Sequence, residues 1–143
     1  MVTYGDGRRR KQATPLGLVN HYVVLPEALK LSELVRFLEA PSQAKAKIMI
    51  FLLTCAHVDY YARLLPKLPA LQALSIAALH GKMVQKKRTK TYEAFAAAAS
   101  GVLLSTDVAA RGIDIPDVDW IVQYDAPQVD RPCLVQKRPT NNR

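Results

Sequence analysis

Residues 103–114 read L-L-S-T-D-V-A-A-R-G-I-D, from Leu103 to Asp114, and this stretch decides the fold. An apolar run at 101–104 passes directly into Ser105, Thr106 and Asp107, and the following turn carries Arg111, Gly112 and Asp114. A buried strand that ends in hydroxyls, a glycine and an arginine has its chemistry at its carboxyl end. In open α/β sheets ligands bind in the crevice beyond those strand ends, and these residue types suit phosphate. The stretch therefore predicts a strand in a parallel sheet, with a phosphate chain as ligand.

Working outward, strand-like and helix-like segments alternate. Residues 21–25, 48–53, 74–79 and 120–124 are β-rich or continuously apolar. Between them, residues 26–40 place Leu31, Leu34, Val35 and Leu38 at helical spacing, and residues 56–65 place Val58, Tyr61, Ala62 and Leu65 on one stripe, with Pro66 as a stop. Residues 86–99 align Tyr92, Phe95, Ala96 and Ala99 in a third helix. Strands joined by helices of this length imply parallel pairing, with helices on both faces of the sheet.

Composition sets the outer limits. The chain has 143 residues, 50% hydrophobic and 22% charged, which is about one ordinary globular domain. Apolar runs such as 48–53 fall far short of the roughly 20 residues that span a bilayer, and the arginines near the amino terminus precede no apolar core. Neither a membrane span nor a secretory signal is expected. Cys55 and Cys133 lack metal-ligand spacing, which argues for a reducing intracellular compartment and against zinc.

Charge is unevenly spread. Residues 1–100 carry 15 Lys/Arg against 6 Asp/Glu, whereas residues 101–130 carry one arginine against six aspartates. Two clusters stand out: Arg8, Arg9, Arg10 and Lys11, and then Lys82, Lys86, Lys87, Arg88 and Lys90. They fit neutralisation of nucleic-acid phosphates and equally fit a solvated helix face with a basic end. Residues 1–12 and 128–143 show no apolar periodicity and read as a flexible basic terminus and an irregular tail.

At the level of motifs, residues 80–88 read H-G-K-M-V-Q-K-K-R and residues 105–114 read S-T-D-V-A-A-R-G-I-D. The two resemble the H-G-x-x-x-Q-x-x-R element and motif V of DEAD-box ATP-dependent RNA helicases, in that family's order and spacing. Residues 51–54, F-L-L-T, resemble motif IV, and residues 118–127, V-D-W-I-V-Q-Y-D-A-P, resemble the strand and turn that follow motif V. The resemblance covers about residues 14–127. It implies the second of two RecA-like domains: a three-layer parallel sheet with helices on both faces, occupying residues 13–127 and incomplete at the carboxyl end. The H-G-K-M form and the stretch from Thr54 to Tyr61 are most similar to the nucleolar helicases of large ribosomal subunit assembly.

The resemblance also implies roles. RNA-backbone contacts fall to Thr54, Gly81, Gln85, Arg88, Thr106, Asp107, Arg111 and Gly112. Asp114 would face the interdomain cleft, accepting from the ATP ribose or holding an arginine. Each assignment stands beside a plainer one: helix capping for Thr54, Thr106 and Asp114, a turn glycine for Gly112, a surface ion pair for Arg111. His80 reads as a structural hydrogen-bonding group, and Lys82, Lys86 and Lys87 as diffuse attraction or solvated side chains. ATP and Mg²⁺ belong to the complete two-domain enzyme, with RNA, the N-terminal RecA-like domain and pre-ribosomal particles as partners, in the nucleus or nucleolus.

Several family parts are missing from these residues. There is no G-x-x-x-x-G-K-[ST] phosphate loop and no D-E-A-D, and Tyr124-Asp125-Ala126-Pro127 is not followed by H-R-x-G-R. Arg131 and Arg138 lie in the right region but outside that motif, so the charge-stabilising role is not assigned to them. No catalytic residue, metal ligand or bound cofactor is expected of the chain alone. Two other readings stay open: a non-catalytic RNA-binding or partner-binding product, and a piece of a DNA-acting helicase of the wider superfamily. The chain on its own should release no phosphate from ATP above background, with or without RNA, in a coupled phosphate-release assay.

Overall fold

Continuous burial of the segment around Leu103 organises the whole molecule. The computed structural model describes residues 3–6, 19–40, 43–110, 117–125 and 135–137. Its elements, in chain order, are β1 (Thr3–Asp6), β2 (Val19–Val24), α1 (Lys30–Glu39), β3 (Lys47–Leu52), α2 (Cys55–Leu64), β4 (Ile76–Leu79), α3 (Gln85–Ala97), β5 (Gly101–Thr106), α4 (Asp107–Ala110), β6 (Trp120–Gln123) and β7 (Val135–Lys137).

The strands form one seven-stranded sheet in the order β1-β2-β7-β6-β3-β5-β4. Four of them, β6, β3, β5 and β4, run parallel. Within this block all six residues of β5 are buried, as expected of a strand covered on both faces. Alternation then sorts the side chains. Ile48, Ile50 and Leu52 of β3 join Val102 and Leu104 of β5 in a core with Leu34 and Leu38 of α1 and Val58 of α2. Met49 and Leu103 point the other way, into a second core with Leu79 and Phe95 of α3. The result is three layers, with α1 and α2 on one face and α3 on the other, as the alternation of segments predicted.

Local signals account for the helix ends. Thr54 is extended and its hydroxyl accepts from the His57 amide at 3.1 Å, which caps α2. Pro66 lies in a short 3-10 turn, Leu65–Lys67, that follows α2 and carries the chain toward β4. Helix α1 is preceded by another, Glu27–Leu29, so the single helix expected over 26–40 is a 3-10 turn followed by ten α-helical residues. At the entrance to β5, Gly101 has φ +142°, and a Cβ there would stand 3.1 Å from the Ser75 carbonyl oxygen.

Other expectations change. The strand foreseen at 21–25 is β2, and it lies outside the parallel block, pairing antiparallel with β1 and β7. The sheet is therefore mixed, since β7 also pairs antiparallel with β6. Strands β1 and β7 fall in segments where the sequence shows no periodicity, because three or four residues are too few to display one. Helix α4, directly after β5, was also unforeseen for the same reason of length.

Leu104→Ala should lower unfolding free energy by about 3–5 kcal/mol in urea titrations, because Leu104 is fully enclosed, whereas Val84→Ala at an exposed position should change it by less than about 0.5 kcal/mol.

Candidate nucleic-acid interface at the carboxyl edge of the sheet

Parallel register gathers the candidate residues. Leu52 at the end of β3 pairs with Thr106 at the end of β5, and Leu79 at the end of β4 pairs with Ser105. The segments that leave these ends carry Thr54, His80 with Gly81, and Thr106 with Asp107. Three strands thus deliver the predicted residues to one edge, although 25 or more positions separate them along the chain.

Each side chain has a definite setting. Thr54 is exposed and Thr106 is 7% exposed. The Thr106 hydroxyl accepts from the Ala109 amide at 3.4 Å, so both threonines take the capping role. A hydroxyl that accepts one hydrogen bond still has its own proton to donate, so capping leaves each able to give a hydrogen bond to a phosphate oxygen. Ser105, fully buried, donates to the Thr106 carbonyl at 3.2 Å and is turned inward. Asp107 is exposed in the first turn of α4.

Gly81 is exposed, and a Cβ added there would meet nothing within 4 Å. Its backbone faces open space, so nothing in the fold itself demands glycine. Gln85 opens α3, and the half-buried Arg88 follows one turn later, its Nη1 donating to Gln85 Oε1 at 3.5 Å. Lys82, Lys86 and Lys87 are exposed around them, giving the edge a positive rim. Arg111, Gly112 and Asp114, the remaining predicted residues, lie outside the described residues.

His80 is a structural group, as expected. It is 5% exposed, and its Nε2 lies 3.0 Å from Asp59 Oδ1 on α2. Its Nδ1 is buried without a partner, which costs about 1–3 kcal/mol for a polar group withdrawn from water.

One part of the edge escaped the sequence reading. Asp125, just after β6, accepts from the Leu53 amide at 2.8 Å and from Lys30 Nζ at 3.1 Å, with His57 Nδ1 at 3.5 Å. Beside it the Tyr124 and Tyr61 hydroxyls meet at 2.9 Å, and Lys30 lies 4.8 Å from the Tyr124 ring centre. Burial, then the Tyr61 hydrogen bond, push the Tyr124 phenol well above its ordinary value. Burial pushes the Lys30 ammonium down, but its hydrogen bonds and charge pairing with Asp125 and Glu27 outweigh that, and the net shift is upward. The residues Y-D at 124–125 were visible as a motif, but Lys30 is 95 positions from Asp125 and carries no sequence signal of the pairing.

The described residues hold no group of three His, Cys, Asp or Glu side chains placed to bind a metal ion. Nor do they contain a G-x-x-x-x-G-K-[ST] phosphate loop. No helix among them is long and apolar enough to cross a membrane. A groove of about 430 Å³ lies at the opposite edge, between α3 and the amino ends of β4 and β5, lined by Ser75, Lys90, Thr91, Ala98 and Gly101. Its lining also includes Lys87, so it runs along α3 from the amino ends of the strands toward the lysine rim.

Residues 29–138 match the helicase conserved C-terminal domain family. The probable ATP-dependent RNA helicase ddx55 of Dictyostelium discoideum is 44% identical over 117 residues, covering 82% of this chain and 18% of that protein. DEAD-box ATP-dependent RNA helicase 18 of Oryza sativa subsp. japonica is 51% identical over 115 residues, covering 80% of this chain and 18% of that protein. The chain thus spans about a fifth of the length of these curated relatives. Among solved structures, Mss116p DEAD-box helicase domain 2 bound to an RNA duplex superposes with a TM-score of 0.63 at 30% identity, covering 70% of this chain and 40% of that one.

The raised Lys30 value fixes a sign. Stability from the Lys30–Asp125 pair is fully present below the ordinary lysine value of 10.5 and is lost as pH rises through the higher folded value. Thermal melts should therefore show the advantage of the unmodified chain over Lys30→Met shrinking above about pH 10.5 and constant between pH 7 and 9.

Proposed function

Because the chain belongs to the helicase conserved C-terminal domain family, in the form carried by DEAD-box ATP-dependent RNA helicases, we propose that it supplies the RNA-backbone grip of such an enzyme. The observation that carries this reading is the convergence of Thr54, Gly81, Gln85, Arg88, Thr106 and Asp107 on one carboxyl edge rimmed by lysines. Hydroxyl, amide and guanidinium donors suit phosphate and sugar oxygens, the Asp107 carboxylate can accept from a ribose hydroxyl, and contacts of this kind carry no base information, so the grip is independent of RNA sequence.

The chemistry follows from the groups present. Thr54 and Thr106 donate hydroxyl protons to successive phosphate oxygens. Arg88, steadied by Gln85, places a fixed positive charge on the strand. Gly81 lets a ribose-phosphate chain approach the backbone closely, which accounts for a glycine that the fold does not need. By the family resemblance, Arg111 and Gly112 would add further RNA-backbone contacts, and Asp114 would accept from the ATP ribose or hold an arginine. ATP and Mg²⁺ would be held mainly by the N-terminal RecA-like domain, which the described residues cannot replace. In the whole protein the grip bends one strand of a short duplex, in ribosomal RNA processing within the nucleolus. Support for that setting comes from the H-G-K-M form and the residues from Thr54 to Tyr61.

Fluorescence anisotropy with a labelled oligouridine tests the grip. Arg88→Ala should weaken binding about tenfold and lower the slope of log affinity against log salt by about one. Gly81→Leu should weaken binding comparably while leaving the melting temperature unchanged, because the added side chain enters open space. Unaltered affinity in both variants would remove the assignment. RNA should also be preferred over DNA of equal sequence, reflecting 2′-hydroxyl contacts.

A further inference from the structure

The first turn of α3 carries Gln85 and Arg88, yet it has no side-chain cap of its own. Val84 occupies the N-cap position, where its side chain offers no hydrogen bond, while its carbonyl accepts from the Lys87 and Arg88 amides at 2.9 and 3.0 Å. The amino end of α3 therefore depends on the turn that precedes it, while its carboxyl end is anchored by Phe95 in the core and by Lys47 Nζ, which donates to the Ala96 carbonyl at 2.8 Å. That turn is closed at its base by His80, whose carbonyl accepts from the Met83 amide at 3.2 Å and whose amide meets Met83 Sδ at 3.4 Å.

Among the described residues, one side-chain hydrogen bond ties this turn to another element: His80 Nε2 to Asp59 Oδ1, at 3.0 Å, on α2. The imidazole is 5% exposed and its other nitrogen is buried without a partner. A ring held with one polar atom unsatisfied is oriented by the bond that it does make, here the bond to Asp59. Because the carboxylate accepts, Nε2 carries the proton and donates. Asp59 itself lies on the surface, with a side chain 53% exposed.

The geometry points to His80 and Asp59 as a latch between α2 and α3 that positions Gln85 and Arg88. Thr54 caps helix α2, so the latch fixes two separated parts of the edge relative to each other. Neither His80 nor Asp59 touches the ligand. Both are positioning residues, and their relevance to RNA rests on the reading proposed above.

Asp59 is the residue to vary, because its surface position lets the chain fold without it. Asp59→Ala in the full chain should weaken oligouridine binding about fivefold, and Asp59→Asn, whose amide oxygen still accepts from Nε2, should restore most of that loss. In an Arg88→Ala background Asp59→Ala should have little further effect, whereas in a Thr106→Ala background its effect should persist. Amide hydrogen exchange should accelerate over residues 81–88 in Asp59→Ala while β5 remains protected. A loss of equal size in the Arg88→Ala background, or unchanged exchange over 81–88, would overturn the latch. If oligouridine binds no form of the chain, the RNA reading fails, and faster exchange over 81–88 would still support the latch as the device that holds the amino end of α3.

Discussion

Parallel pairing of β3 with β5 is the constraint on which the rest depends. It aligns Leu52 with Thr106, and the pairing of β5 with β4 aligns Ser105 with Leu79. Every strand of the block then discharges its chain at the same edge. A slip of one residue would reverse the faces of Leu103 and Leu104 and strip both cores at once, so packing and site geometry are held by the same register. The apolar cores fix where the strands end, and the ends fix where Thr54, Gly81 and Thr106 stand.

Around this edge the structure divides labour between holding and offering. Asp125 is consumed by holding, since it bonds the Leu53 amide and Lys30 and so ties the end of β3 to α1. His80 holds as well, through Asp59. Thr54 and Thr106 do both, each capping a helix while keeping a proton to donate. Arg88 and the neighbouring lysines are largely free to offer charge. On the proposed reading, a surface so built would attract polyanions along its length and fix them only at a few points.

Much of this was legible in the sequence. The three layers followed from apolar segments of alternating period, and Thr54 and Thr106 could be read as caps as well as donors. What was not legible depends on distance along the chain. The meeting of Lys30 with Asp125 and of Tyr61 with Tyr124 joins residues 95 and 63 positions apart, and no local pattern encodes it. Asp59, beside Val58 on α2, carries no local signal of its pairing with His80, 21 positions further on. The direction of β2 was likewise hidden, because a strand of six residues has the same alternation whether it runs parallel or antiparallel.

The most direct measurement is an NMR titration of the ¹⁵N-labelled full chain with a short single-stranded RNA. The amides of Thr54, Gly81, Gln85, Arg88, Thr106 and Asp107 should shift together along one binding curve, while Ser75 and Gly101 at the opposite edge stay still. Shifts confined to the groove beside Ser75 and Gly101, or to the basic residues from Arg8 to Lys11, would contradict the claim that the carboxyl edge is the RNA grip.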